Sequence, residues 1–288
     1  MSDSFLERID ERTRSALASG DLLPIHTEES ELVDAGLRFL ARKVSTLAGK
    51  PAAVPGGPRN PDFNPFLNPD PALVLGPIGA RHTAILNKFP VSQRHVVIIT
   101  TGFREQLEPL DRDDCAALAA ALSECGGLGF YNGGTLGGAS QRHKHVQWLP
   151  TAPGNASLQP WRAGLPGDAP TGTIATHPAL ALPHCFVRVD CARGMPVEQI
   201  AGSLHDGYRQ ALDHLVLRVD EAGLLPPLNL LVEDGWLLLV PRGREHFETI
   251  SINALAFGGT FFVRDDEELA GLRQAGPLRA LATVGIRR

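Results

Sequence analysis

The chain has 288 residues and a mass of 30.9 kDa, with 43% hydrophobic and 20% charged side chains, enough to bury one large core or two small ones in an ordinary globular fold. A net charge of −5 argues against a general nucleic-acid binder, which needs a basic excess, and makes the central lysines and arginines a local matter. No run approaches the ~20 apolar residues of a membrane span, and the opening M-S-D-S-F-L-E-R-I-D-E-R lacks the apolar block of a signal peptide, so a cytoplasmic protein with no membrane partner is expected.

Residues 2–19 predict a surface helix: Ser4 and Glu7 stand at capping-box spacing, Phe5, Ile9 and Ala16 share one side, and Gly20 stops it. Leu32, Leu37, Phe39 and Leu40 then fall in a segment, 31–47, whose pattern fits either a helix or extended chain. Seven prolines from Pro51 to Pro71 predict irregular backbone, either a linker or a loop crossing one face of a domain. Residues 72–75 and 82–88 alternate as strands, and 95–101 is a buried β-branched strand, so an antiparallel sheet is expected. A helix over 111–125 follows, with Asp111, Asp113 and Asp114 at its positive end, Leu118 and Leu122 inward and Gly126 as the stop.

The stretch from Gly126 to Pro150 carries the chemistry. His143, His145 and Gln147 recur at every second position, and in a strand such residues share a face, so two imidazoles and a carboxamide point into one pocket. Gly133, Gly134, Gly137 and Gly138 just upstream permit close backbone approach and positive φ, letting consecutive N–H groups close around an anion. A polyphosphate site is the expectation. Arg142 and Lys144 fall on the other face of a regular strand and are expected in solvent.

Turn formers dominate from Thr151 onward and mark an internal boundary. Cys185 to Val189 predicts a strand, and Pro196 opens a helix with Ile200, Leu204, Tyr208, Leu212 and Leu215 on one face, closed by Gly223. Asp234-Gly235 turns a hairpin between L-N-L-L-V-E and W-L-L-L-V-P. A strand over 257–264 and a tail helix over 265–275 complete the chain. Cys115, Cys125, Cys185 and Cys191 lack metal-cage spacing and are expected reduced and mostly packed.

Several strings together carry a resemblance: Y-N-G-G (131–134), G-A-S-Q-R-H-K-H-V-Q (138–147), I-L-N-K-F-P (85–90) with its N-P-F-L-N-P approach (64–69), and I-S-I-N (250–253) followed by F-G-G-T-F-F-V-R (257–264). They resemble the diadenosine tetraphosphate phosphorylases, or ATP adenylyltransferases, of the histidine-triad superfamily that also holds galactose-1-phosphate uridylyltransferase. The resemblance covers most of the chain. It implies an α+β, histidine-triad-like antiparallel sheet with flanking helices, in two related halves around one active site. Residues 1–150 would form the catalytic half with H-x-H-x-Q, 151–180 a linker or loop, and 181–288 an ATP adenylyltransferase half completing the nucleotide site. The proline-rich 51–71 segment then reads as a loop over one face.

With a phosphate chain against the glycine loop, His145 is the candidate nucleophile, because a neutral imidazole attacks phosphorus without first losing a proton. His143 would shape its surroundings. Gln147 stands where many hydrolases of the superfamily carry a third histidine; a carboxamide cannot titrate and suits a leaving group that needs no proton, such as ATP or ADP. Lys88, Ser140, Gln141 and loop N–H groups would neutralise charge. By resemblance, Asn87 and Lys88 form a nucleotide-binding pair, Asn132, Gly138, Ala139, Ser140 and Gln141 a phosphate loop, and Gln147 a phosphate-contacting glutamine. Lys50 resembles an early substrate lysine, with Lys43 competing for that place. Ser251, Ile252 and Asn253 resemble a C-terminal nucleotide contact, and Thr260 and Arg264 follow where the family pattern has a methionine and a lysine.

The implied activity is phosphorolysis of diadenosine tetraphosphate to ATP and ADP, reversibly, through an adenylyl-histidine. Its partners are small nucleotides and phosphate in a monomer or small homo-oligomer, with no metal site; no cofactor is required for the chemistry, and Mg2+ is left open as a companion of the nucleotide. Competing readings are a sugar-phosphate nucleotidyltransferase, a dinucleoside polyphosphate hydrolase and a non-catalytic nucleotide sensor. His95 is read as a structural strand histidine, and Trp148, Trp161 and Trp236 as packing residues. The assignment asks that residue 145 be accessible and close to Asn132 and Ser140.

Overall fold

The computed structural model describes residues 4–44 and 64–286. Helix α1 (Phe5–Ser19) starts at the reciprocal cap foreseen from sequence: Ser4 Oγ accepts the Glu7 N–H at 3.3 Å, and the Glu7 carboxylate accepts the Ser4 N–H at 2.8 Å. The ambiguous segment is extended: β1 (Thr27–Asp34) and β2 (Leu37–Val44) form a hairpin around Ala35-Gly36. Next come β3 (Val74–Ile78), β4 (His82–Leu86) and β5 (Val96–Thr100), with β4 antiparallel to β3 and β5 to β4. Helix α2 (Arg112–Cys125) leads to β6 (Leu128–Gly133) and β7 (His145–Leu149). Strand β6 was not separable in the sequence from the glycine-rich approach, and all its residues are buried.

The second half contains β8 (Ile174–Ala175), β9 (Cys185–Arg188), α3 (Val197–His214), β10 (Leu228–Glu233) and β11 (Trp236–Pro241). Helix α3 ends at His214, short of Gly223, as Val216 takes a left-handed φ of 57° and the Leu217 N–H turns back to the Leu212 carbonyl at 2.9 Å. The chain closes with β12 (His246–Phe247), β13 (Ile250–Ser251), α4 (Ala254–Phe257), β14 (Thr260–Val263), α5 (Asp266–Ala275) and α6 (Pro277–Val284). Residues 254–257 are thus a helical turn capped by Asn253, whose side chain accepts the Leu255 N–H, and the last strand starts only at Thr260.

Nine strands form one sheet in the order β3-β4-β5-β7-β6-β10-β11-β9-β8, and β1-β2-β14 form a smaller one with β14 parallel to β2. The large sheet repeats itself. The order β4-β5-β7-β6, with α2 between β5 and β6, recurs as β8-β9-β11-β10, with α3 between β9 and β10. The halves meet antiparallel at β6 and β10, in a register running from Gly133 opposite Leu228 to Gly129 opposite Val232.

Helices α1, α2 and α3 cover one face through Phe5, Leu118, Val146, Trp148, Leu204 and Tyr208. The small sheet and the C-terminal helices pack against Phe130, Leu149, Phe186, Trp236 and Leu238 on the other. His145 and Gln147 alternate with Val146 and Trp148, so they share the face of Leu149, away from α2 and α3. The same face of β11 carries Trp236, Leu238 and Val240. The histidine and glutamine of β7 thus have apolar counterparts on β11. Trp148, Trp161 and Trp236 are packing residues, at most 2% exposed, and the four cysteines are free thiols. No described helix is long and apolar enough to cross a membrane.

Candidate active site

His143 sits just before β7, bridged to Glu105. Its ring is pinned on both sides, with Nε2 2.9 Å from the carbonyl and hydroxyl oxygens of Thr100 and Nδ1 3.2 Å from Asn64 Oδ1. Its own carbonyl faces the next histidine and accepts the Nδ1–H of His145 at 2.8 Å. That bond fixes the tautomer: Nε2 of His145 keeps its lone pair, and among the described residues it has no hydrogen-bond partner. Burial pushes the His145 pKa down to about 4, outweighing the pull of the His143 carbonyl, so the ring is neutral. The residue is buried, at 5% exposure, against the accessibility that the sequence reading required, with Phe66 edge-on to its ring at a centroid distance of 5.1 Å.

Gln106, which sequence reasoning passed over, holds this strand end in place. Strands β6 and β7 are paired as far as Phe130 opposite Gln147 and then separate. The Gln106 carboxamide fills the gap: Oε1 accepts the His145 N–H at 2.8 Å, and Nε2 donates to the carbonyls of His145 at 3.1 Å and Asn132 at 2.8 Å. Asn132 and His145 are thereby bridged by one side chain.

The glycine loop folds differently from the expected cradle. The N–H groups of Gly137 and Ala139 donate to the Gly134 carbonyl and that of Gly138 to the Thr135 carbonyl, so these three turn inward. The N–H groups of Ser140 and Gln141 have no acceptor among the described residues, and Ser140 is exposed. Gly137 lies so close to β10 that a Cβ would meet the Leu228 carbonyl at 2.8 Å, and Gly138, with φ of 86°, would place one 2.7 Å from Asn253 Cβ. The loop is thus seated on Ile252 and Asn253.

Two more residues unread in the sequence build this seat. Asn229 donates from Nδ2 to Asn132 Oδ1 at 3.0 Å and to the Gly137 carbonyl at 2.7 Å, while the Ala254 N–H donates to the same Asn132 oxygen at 2.8 Å. Arg242, 1% exposed, donates from Nη1 to Asn229 Oδ1 and from Nη2 to the Ile252 carbonyl at 2.8 Å. Burial lowers its pKa to about 9, so it stays cationic at neutral pH beneath the loop. The available signal was a polar residue inside or directly after an apolar strand run, at Asn229 in L-N-L-L-V-E and at Arg242 after W-L-L-L-V-P. With Oδ1 committed, the Nδ2 group of Asn132 has no acceptor among the described residues.

Gln147 faces the same side as His145, and its Oε1 lies 2.9 Å from His95 Nε2. His95 in turn lies 3.0 Å from Asn87 Nδ2, so Asn87 joins the site through His95. Lys88 follows Asn87 with its amine 3.5 Å from Asp70. Lys144 corrects the sequence reading: it is 0% exposed, its Nζ 2.6 Å from Asp114 Oδ2 and donating to the Pro109 carbonyl at 2.7 Å, because the back of β7 lies on α2. Arg142 is in solvent, paired with Glu105.

Ser251 donates to Glu245 at 3.2 Å at the edge of the loop seat. Thr260 lies on the smaller sheet opposite Leu40, and Arg264 pairs with Glu268; no hydrogen bond of the site reaches either. Lys50 lies outside the described residues. Among the described residues no group of three or more His, Cys, Asp or Glu side chains is placed to hold a metal.

Residues 1–160 match the family model for the Ap4A phosphorylase N-terminal domain, and residues 178–287 that for the ATP adenylyltransferase C-terminal domain. Among curated proteins, the chain is similar to diadenosine 5',5'''-P1,P4-tetraphosphate phosphorylase 2 of Saccharomyces cerevisiae, 25% identical over 307 residues that cover 95% of this chain and 91% of that one. Protein APA1 of the same yeast is 31% identical over 155 residues, 49% of this chain and 47% of its own. Among solved structures, yeast Ap4A phosphorylase Apa2 in complex with Ap4A superposes with a TM-score of 0.77 at 22% identity, covering 99% of both chains. The same enzyme in complex with AMP gives 0.77 at 21% identity over 100% of this chain and 99% of that one; at such identities the likeness is one of fold. Two family models in tandem therefore account for both halves of the repeated sheet, and the chain belongs to the Ap4A phosphorylase family, with an ATP adenylyltransferase C-terminal domain.

Proposed function

We propose that the protein phosphorolyses diadenosine tetraphosphate to ATP and ADP, reversibly, through an adenylyl group carried on Nε2 of His145. The observation that carries this reading is the bond from His145 Nδ1–H to the His143 carbonyl, which leaves a neutral ring with its lone pair on the other nitrogen. That lone pair attacks the phosphorus next to one adenosine, the bond to the adjacent bridging oxygen breaks, and ATP leaves with the electron pair. A polyphosphate oxygen needs no proton to depart, and a glutamine at residue 147 has none to give. An oxygen of inorganic phosphate then attacks the same phosphorus, the N–P bond breaks, ADP leaves and the imidazole is restored.

Charge on the transferring group falls to the Nδ2 of Asn132, the N–H groups of Ser140 and Gln141, Lys88 and the buried Arg242 behind the loop. Gly138 and Ala139 shape that loop, Gln147 faces the transferring phosphoryl, and Lys50, Asn87, Ser251, Ile252, Asn253, Thr260 and Arg264 are assigned to the nucleotide by family likeness. No cofactor enters the scheme, and any Mg2+ would travel with the nucleotide. The yeast relative's complexes with Ap4A and with AMP support a site that takes both a dinucleotide and a mononucleotide. A cytoplasmic location and a monomer or small homo-oligomer complete the proposal.

Incubation with dinucleotide labelled at the phosphorus next to adenosine, with and without phosphate, tests it. The expected outcome is protein-bound label without phosphate, chased into ADP when phosphate is added and absent in His145→Ala. Full labelling and turnover by His145→Ala would overturn the assignment, and AMP release at an undiminished rate without phosphate would make the enzyme a hydrolase instead.

A further inference from the structure

We propose that Asn87 and His95 are positioning residues that lock Gln147 with its amide N–H groups, not its carbonyl, turned toward the transferring phosphoryl group; this rests on the reaction proposed above. Hydrogen-bond direction is set along a chain of four groups, anchored at a backbone N–H that can only donate. The Phe89 N–H donates to Asn87 Oδ1 at 3.2 Å. The oxygen of that carboxamide is thereby identified, and its Nδ2 must be the group 3.0 Å from His95 Nδ1. Nδ1 of His95 is therefore an acceptor.

A neutral imidazole that accepts at Nδ1 carries its proton on Nε2. His95 is neutral, because burial pushes its pKa down to about 4 against the pull of Gln147. Its Nε2–H consequently donates to the Gln147 atom 2.9 Å away, which must be Oε1. With Gln147 turned over, two N–H groups would face each other in a buried setting, and one would go unsatisfied. Gln147 Nε2 is left with no acceptor among the described residues, on the face it shares with His145.

The consequence is chemical selection. A glutamine free to turn presents donor and acceptor alike, and its carbonyl oxygen would repel a phosphoryl oxygen. The relay removes that choice before substrate arrives, which is electrostatic preorganisation. Phe130 packs against the His95 ring with centroids 5.6 Å apart and keeps the imidazole from leaving the line.

Two measurements test this. In the resting protein, nitrogen-15 NMR of His95 between pH 6 and 9 should show a neutral ring protonated on Nε2, independently of any activity; protonation on Nδ1, or an imidazolium, overturns the relay. In single-turnover labelling, His95→Phe should slow adenylyl transfer about tenfold or more with dinucleotide KM changed less than about threefold. His95→Gln, whose Nε2 lies as many bonds from Cβ as that of histidine, should recover a large part of the rate, and Asn87→Leu should fall between. Equal rates in wild type and His95→Phe, or no recovery by His95→Gln with its fold intact, defeat the proposal. A wild type that forms no adenylyl-enzyme defeats the reaction instead, while the NMR result still decides the relay.

Discussion

Gln106 and His145 are joined as two strands would be: the glutamine side chain accepts the histidine N–H at 2.8 Å and donates to its carbonyl at 3.1 Å. The same amide reaches the Asn132 carbonyl, so the nucleophile and a phosphate-loop residue share one support. Gln106→Leu leaves these buried backbone groups unsatisfied, at about 1–3 kcal/mol each. Displacement of His145 is expected to lower kcat by roughly 10- to 100-fold, read by steady-state phosphorolysis beside a thermal melt. Unchanged kcat in a folded variant would remove Gln106 from the site.

Enclosure of His145 also sets its pH response. A histidine with an ordinary pKa near 6.5 would lose half its nucleophile at that pH. With the pKa held down to about 4 by burial, the neutral ring persists well below pH 6 and is lost only as pH falls through about 4. The labelling half-reaction, which avoids the titration of phosphate itself, should be flat from about pH 5.5 to 8. A midpoint near 6.5 would contradict the observed burial.

Phe66 stands edge-on to the same ring, where it would hinder the approach of water. Phe66→Ala is expected to raise phosphate-independent release of AMP from the labelled enzyme about tenfold while labelling itself persists. No change in that hydrolysis would assign the protection to another group.

Lys144 and Asp114 fasten the back of β7 to the start of α2 in a buried ion pair. Burial alone would raise the Asp114 carboxyl, but the hydrogen bond from His82 and the charge and hydrogen bond of Lys144 outweigh it and hold the pKa below its ordinary value. The sign follows: this stabilisation is complete above the unfolded carboxyl value near 4 and is lost as pH falls through the lower folded value. Lys144→Met should cost about 3 kcal/mol at pH 7, with the deficit shrinking on acidification as the stranded carboxyl protonates. Urea melts from pH 7 to 4 measure it; a pH-independent deficit would mean the pair is not ionised.

Much of this was legible in the sequence because local chemistry and global role coincide. The Ser4 cap, the acidic start of α2, the Asp234-Gly235 turn and the alternation of His145 and Gln147 are each set by neighbours within a few residues. What escaped notice depends on partners far along the chain. Lys144 looked like a solvent residue until α2 covered that face, and Gln106 has no motif, since its role is to replace a ladder that β6 and β7 do not make. The glycine loop was recognisable, but not that its own carbonyls take three of its N–H groups. Asn229 meets Asn132 across 97 residues of sequence, through a pairing that only the folded sheet supplies, and Arg242 reaches the pair through Asn229.

That pairing works as a ruler. Asn132 and Asn229 are opposite partners in the join between β6 and β10, where side-chain direction reverses at every residue. Insertion or loss of a single amino acid in either strand would swing one asparagine to the helix-covered side and disconnect Arg242 from the loop. The number of residues in these two strands is therefore part of the site, although neither asparagine stands next to the histidine in sequence.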